Sequence, residues 1–273
     1  MGGGAPALSL HARQAGEPGA PAALLLHGWP GSSHTWRHVL PAVADAGWHA
    51  IAPDLPGHGD TPLAPYDGTW EDHVRALDAF VAERLPERFA LVAHDWGGLI
   101  GLRWAVERPE RISALVLSNT GFFADGQWHG IADTLRGPAG DRALDNLSRT
   151  TFSSLVRAIS PAIGAETVDE MWKGVADDER RRAVLALYRS GDLPKLARYE
   201  PLLAELRVPA LVLWGALDRF APVSGAHRFV QQLPDARLVV LEEAGHFLHE
   251  DAPERVAQEI GGFLRDVREA SAA

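Results

Sequence analysis

Cysteine is absent from the 273 residues. That excludes disulfide frameworks, thiolate nucleophiles and thiolate-held metals, and leaves the redox compartment open. Cationic excess is missing too, since 26 basic residues face 36 acidic ones for a net charge of −10. A surface that tracks phosphates is therefore not expected, which argues against nucleic acid or an anionic membrane as partner. No stretch approaches the ~18 uncharged apolar residues of a membrane helix, and the start, Met1-Gly2-Gly3-Gly4-Ala5-Pro6, carries neither a basic nor an apolar leader segment. A cytoplasmic protein is the expectation, monomeric or homodimeric. Internal repeats are lacking, and tyrosine is sparse at three residues, so few phenols are available to any site.

What is present is an apolar fraction of 46%, enough for a sizeable core. Short apolar runs bounded by turn residues alternate with segments of helical period, the pattern of a parallel sheet covered by helices. Strands are predicted at 22–26, 49–52, 89–93, 114–117, 210–214 and 238–241, and helices at 35–46, 70–85, 99–107, 226–233 and from 253 to about 267. Between residues 121 and 206 the strand signals stop, and short helical segments broken by Gly and Pro take over. The expected architecture is an α/β core, residues 1–120 and 207–273, with a helical lid inserted at 121–206.

The sharpest local feature is Ala93-His94-Asp95-Trp96-Gly97-Gly98, a strand running into a small-residue turn and then a helix. Small residues two positions either side of a nucleophile permit the strained turn that lifts its side chain to the helix N-terminus. The bland alternative is that Asp95 merely caps the helix, since Asp is a favoured N-cap. Two further residues weigh against it. Asp218 follows the strand ending at Trp214, and His246 follows the strand at 238–241, so all three lie at carboxyl ends of separate strands, where open α/β sheets bind ligands. The strand at 114–117 is followed by Ser118-Asn119-Thr120, without a carboxylate, which leaves Asp218 as the acid. An Asp nucleophile has a chemical meaning of its own. It displaces a leaving group from saturated carbon and forms an ester whose carbonyl belongs to the protein, which a histidine-activated water then hydrolyses.

With His27-Gly28-Trp29-Pro30, Asp54-Leu55-Pro56-Gly57-His58-Gly59, His94-Asp95-Trp96-Gly97-Gly98 and Gly245-His246-Phe247, the chain resembles the α/β-hydrolase superfamily over nearly its whole length. The resemblance is to its Asp-nucleophile branch of epoxide hydrolases, haloalkane dehalogenases and fluoroacetate dehalogenases. It implies an α/β-hydrolase fold, Asp95 as nucleophile, His246 as base, Asp218 as its orienting acid, and the backbone N–H groups of Trp29 and Trp96 as the oxyanion hole. It implies no metal or organic cofactor. Among the twelve histidines no pair has zinc-site spacing with a supporting acid. His27, His58 and His94 are expected in loops at the rim, hydrogen-bonded for structure, and His249 in a solvated turn.

The leaving group divides the branch, because a halide departs as an anion that needs N–H donors, whereas an epoxide oxygen stays attached and needs a proton donor. In haloalkane dehalogenases one donor is the Trp after the nucleophile, here Trp96, and the second is an Asn after His-Gly or a lid Trp. Trp29 stands where that Asn would be, leaving Trp128 and Trp172 as lid candidates. In epoxide hydrolases two lid tyrosines polarise the oxygen, and Tyr188 resembles the second while the first is missing. Fluoroacetate dehalogenases carry arginines where this chain has Trp96 and Leu99, so a haloacid is not expected. The sequence reading favours hydrolysis of a small apolar epoxide, with haloalkane dehalogenation as the alternative. A hydrolase-fold binding protein or receptor is the third reading, and an intact triad argues against it.

Overall fold

The computed structural model describes residues 9–272. The opening Met1-to-Pro6 stretch lies outside them, as does Ala273. Seven strands form one sheet: β1 (Ala12–Ala15), β2 (Ala22–Leu26), β3 (His49–Pro53), β4 (Phe89–His94), β5 (Ile112–Ser118), β6 (Ala210–Gly215) and β7 (Ala236–Leu241). Their spatial order is β1-β3-β2-β4-β5-β6-β7. β1 runs antiparallel to β3 and every other pair is parallel.

The central strands read as continuous apolar runs because both faces are covered. Successive residues serve opposite cores. Leu24, Leu26, Leu91, Ala93, Leu115, Leu117, Val212 and Trp214 join one cluster, and Ala23, Leu25, Ala90, Val92, Ala114, Val116, Leu211 and Leu213 join the other. The second cluster is closed by α1 (Val39–Asp45) and by the C-terminal helix, which runs from Pro253 to Ala272. The first is closed by α2 (Trp70–Arg84) and α3 (Trp96–Ala105) together with a helix after β6. α2 starts at a capping box in which the Thr69 hydroxyl accepts from the Asp72 N–H at 3.1 Å and the Asp72 carboxylate accepts from the Thr69 N–H at 3.3 Å.

Between β5 and β6 come α4 (Gly130–Arg136), α5 (Gly140–Asp145), α6 (Arg149–Ile159), α7 (Ala165–Lys173) and α8 (Asp178–Ser190), then 3-10 turns at Leu193–Arg198 and Glu200–Glu205. α9 (Val223–Gln232) precedes β7, and α10 (Leu248–Asp251) and α11 (Pro253–Ala272) finish the chain. The single helix predicted at 35–46 is instead a 3-10 turn at Ser33–Trp36 followed by α1. Pro41 explains the break, since it cannot donate to the Arg37 carbonyl and its ring would clash there, so it sits only in a first turn. Among the described residues no helix is long and apolar enough to cross a membrane.

Candidate active site

β4 hands the chain to α3 through Asp95, which sits at φ 50°, ψ −124°, outside the regions L-residues ordinarily occupy. Its side chain makes no capping bond to α3, so the N-cap alternative does not hold. The turn exists because its neighbours are small. A Cβ on Gly97 would stand 2.3 Å from the Leu26 carbonyl oxygen, and one on Gly28 would stand 2.1 Å from Oδ1 of Asp95 itself. The Thr120 hydroxyl donates to the Asp95 carbonyl at 2.7 Å and helps hold the strained residue.

The carboxylate of Asp95 faces two sets of groups. The Trp29 backbone N–H donates to Oδ1 at 2.9 Å, and the Trp96 backbone N–H lies near enough to favour the charged carboxylate without forming a hydrogen bond to it. On the other side Oδ2 lies 3.5 Å from Nε2 of His246, whose Nδ1 is 2.8 Å from Oδ2 of Asp218. Asp218 is saturated with donors. Oδ1 accepts the N–H groups of Phe220 at 2.7 Å and Ala221 at 3.1 Å, and Oδ2 accepts Nδ2 of Asn119 at 2.6 Å as well as the histidine.

These contacts set the protonation states. Burial pushes the Asp95 carboxyl up, but the hydrogen bond and charge of His246, the nearby His94 and the Trp96 N–H outweigh it and bring it to about 2. Burial favours a neutral His246, yet the charge and hydrogen bond of Asp218, with a further share from Asp95, lift it to about 10. The resting arrangement is an imidazolium between two carboxylates. Asp95 supplies part of that support, so a change that removed its charge would lower the His246 pKa and leave an imidazole able to accept a proton.

Two cavities meet at Asp95 and His246. One, of about 260 Å³, is walled by Trp29, Asp95, Tyr188, Phe220, His246 and Phe247 at its floor, and by Leu135, Leu144, Phe152, Leu155 and Val156 from the helices between β5 and β6. The second, of about 280 Å³, shares Asp95, His129, Phe220 and His246 and runs toward α9 past Trp128 and Ser224. Tyr188 is buried, with its ring edge-on to Trp29 at 5.6 Å and to Trp96 at 5.2 Å. Burial, reinforced by the charge of Asp95, raises its pKa, so it remains a phenol and a donor. Trp128 stacks on Trp96 at 5.5 Å. Trp96 itself lines neither cavity, its ring packing on Trp128 and Tyr188, which do, whereas Trp172 packs on Phe152 at 5.5 Å and is not brought beside Asp95.

The other histidines differ from the sequence expectation. His27, His58 and His94 are interior rather than at the rim. The geometry makes His27 donate Nδ1–H to the Gly28 carbonyl at 2.9 Å and accept the Leu55 N–H at Nε2 at 3.0 Å, and Nε2 of His94 lies 2.9 Å from the His246 carbonyl oxygen. His249, expected in a solvated turn, is buried in α10 edge-on to Trp36 at 4.5 Å. Arg37 explains this, since its guanidinium forks onto Glu250 at 2.6 and 2.8 Å and draws the charged run inward. His11, Asp54 and Asp60 lie close enough together to suggest a cation site. Asp54, however, already accepts the Ser33 N–H at 2.6 Å, the Asp60 N–H at 3.0 Å and the His11 ring at 2.9 Å, which marks it as a structural brace.

Sequence reasoning missed Asn119 and His129. Asn119, at φ 42°, braces Asp218 and accepts the Gly215 N–H at 3.1 Å, tying the ends of β5 and β6 together. An Asn two residues beyond a predicted strand, a residue type that tolerates the left-handed region, was the available signal. His129 carried none.

The family described as alpha/beta hydrolase fold matches residues 21–253. A haloalkane dehalogenase of Bradyrhizobium diazoefficiens is 29% identical, covering 95% of this chain and 92% of its own. Haloalkane dehalogenase 2 of Mycobacterium bovis is 32% identical, covering 88% of this chain and 86% of its own. Among solved structures, a haloalkane dehalogenase from Bradyrhizobium elkani superposes with a TM-score of 0.82 at 26% identity, covering 96% of this chain and 99% of that one.

Proposed function

The chain belongs to the α/β-hydrolase family, in its haloalkane-dehalogenase-like branch, and on that premise we propose that it hydrolyses a small apolar haloalkane through an ester on Asp95. The observation that carries this reading is the placement of an ionised, strained Asp95 at the floor of an apolar cavity, with the Trp29 N–H on one carboxylate oxygen and a histidine beside the other. Asp95 attacks the carbon bearing the halogen. The new O–C bond forms as the C–halogen bond breaks, and the halide leaves with the electron pair toward the Trp96 indole N–H. Once the ester has removed the Asp95 charge, His246 gives up its proton to solvent and, as the neutral imidazole, takes a proton from water as that water adds to the carboxyl carbon of Asp95. The N–H groups of Trp29 and Trp96 hold the oxyanion. Collapse expels the alkoxide, which leaves as the alcohol with the proton from His246, and the Asp95 carboxylic acid so formed passes its proton to the imidazole, restoring the carboxylate and the imidazolium. Each step is carried by the chain's own groups, with the helices of 121–206 acting as a cap that keeps bulk water from the ester.

The relatives move the halide reading ahead of the epoxide reading that Tyr188 supports. The epoxide reading retains one specific observation, the Tyr188 phenol buried beside Asp95 in the same cavity, with Trp29 rather than Asn after His27-Gly28. A side-by-side panel of chloro- and bromoalkanes and small epoxides, scored for halide and diol, decides between them. Halide release with Trp96→Phe slowed roughly ten- to a hundredfold supports the proposal. Diol formation alone, lost on Tyr188→Phe, overturns it.

A further inference from the structure

His129 caps α4 in an unusual way. The Ala132 N–H donates to its Nδ1 at 3.3 Å, a role that Ser, Thr, Asp or Asn fills in most helices. Burial is the largest influence on its pKa and lowers it, so the ring is neutral near neutral pH. A neutral imidazole whose Nδ1 accepts must carry its proton on Nε2. That Nε2 finds no protein partner among the described residues, nor is it sealed from the cavities. The ring lines both cavities that meet at Asp95 and His246, and it is held edge-on to Phe220 at 4.7 Å. One nitrogen is committed to the helix, and the ring that carries the other lines both cavities that hold Asp95. A departing anion in an apolar cavity has lost its water, and each N–H the walls supply answers only one of its lone pairs.

Resting on the proposed dehalogenation, we infer that His129 donates its Nε2–H to the leaving group as a second N–H beside Trp96. No proton is transferred in this step. The halide leaves with the electron pair of the broken C–halogen bond, and the imidazole stays neutral.

His129→Asn separates the two duties, because Asn keeps an oxygen at the N-cap and is too short to hold a donor where Nε2 stands. Single-turnover alkylation by a chloroalkane should slow roughly ten- to a hundredfold in His129→Asn. Bromide, read through quenching of tryptophan fluorescence, should bind more weakly by a similar factor. Hydrolysis of the ester once formed, and the melting temperature, should match wild type. His129→Ala should show the same kinetic loss together with a lowered melting temperature. Wild-type alkylation and bromide affinity in His129→Asn overturn the inference alone, as does an equal loss in alkylation and ester hydrolysis. A wild-type protein that releases no halide from any haloalkane overturns the proposed function and the inference with it.

Discussion

Replacing Asp218 by Asn tests whether the acid sets the tautomer of His246. The carboxylate offers two oxygens to four donors, Phe220 and Ala221 N–H on one and the His246 ring and Asn119 amide on the other. An amide offers one oxygen. If that oxygen stays over the two backbone N–H groups, its NH2 faces Nδ1 of His246, which must then present a lone pair and carry its proton on Nε2. In that tautomer the ring cannot take a proton from water. Asn119 cannot relieve the conflict by flipping, because its own oxygen accepts the Gly215 N–H at 3.1 Å. If instead the new amide turns over, its NH2 meets two buried N–H donors, at about 1–3 kcal/mol for each group left unsatisfied. The first arrangement disables ester hydrolysis and the second is disfavoured by its unsatisfied donors, so the competent tautomer is scarce while Asp95 stays in place. Turnover should fall by roughly 10³- to 10⁴-fold, and rapid-quench measurements should show an alkylation burst followed by a stalled ester. Turnover within about tenfold of wild type, or loss of the burst with no stalled ester, would refute the tautomer argument.

Gly28→Ala places a Cβ 2.1 Å from Oδ1 of Asp95, so carboxylate or loop must shift, and single-turnover alkylation should fall about 10²-fold or more. For pH, the Asp95 pKa of about 2 keeps the nucleophile ionised, so alkylation should be flat from about pH 5 to about pH 9. Ester hydrolysis should rise with pH as His246 loses its proton, at an apparent pKa below the value of about 10 in the free enzyme, because the ester has removed the Asp95 charge. Stopped-flow measurement of the two phases at several pH values separates these. A hydrolysis rate that falls with rising pH would contradict the assignment of His246 as base.

The parallel core and the convergence of Asp95, Asp218 and His246 were legible because each rests on local pattern, an apolar run ending in a chemistry-bearing turn. β1 was not. Its sequence, Ala-Arg-Gln-Ala, has neither a run nor an alternation, and it forms an edge strand by pairing with β3. Asn119 and Asp218 are 99 residues apart, and only the neighbouring ends of β5 and β6 join them. The burial of His249 depends on Arg37 gripping Glu250 across 213 residues. Trp172 and Trp128 looked alike in sequence, yet one packs on Phe152 and the other stacks on Trp96, a difference made by helix packing alone. Histidine has no periodic signature, so the N-cap at His129 emerged only with the start of α4.

The central claim is that substrate carbon becomes bonded to Asp95, and intact mass with peptide mapping of His246→Gln after incubation with substrate tests it most directly. That variant keeps the nucleophile but removes the base, so the ester should accumulate. A haloalkane should add the alkyl group in place of one hydrogen, without the halogen, on the peptide containing Asp95. An adduct on any other residue, or rapid alcohol release with no adduct from a variant that lacks the base, would contradict the account.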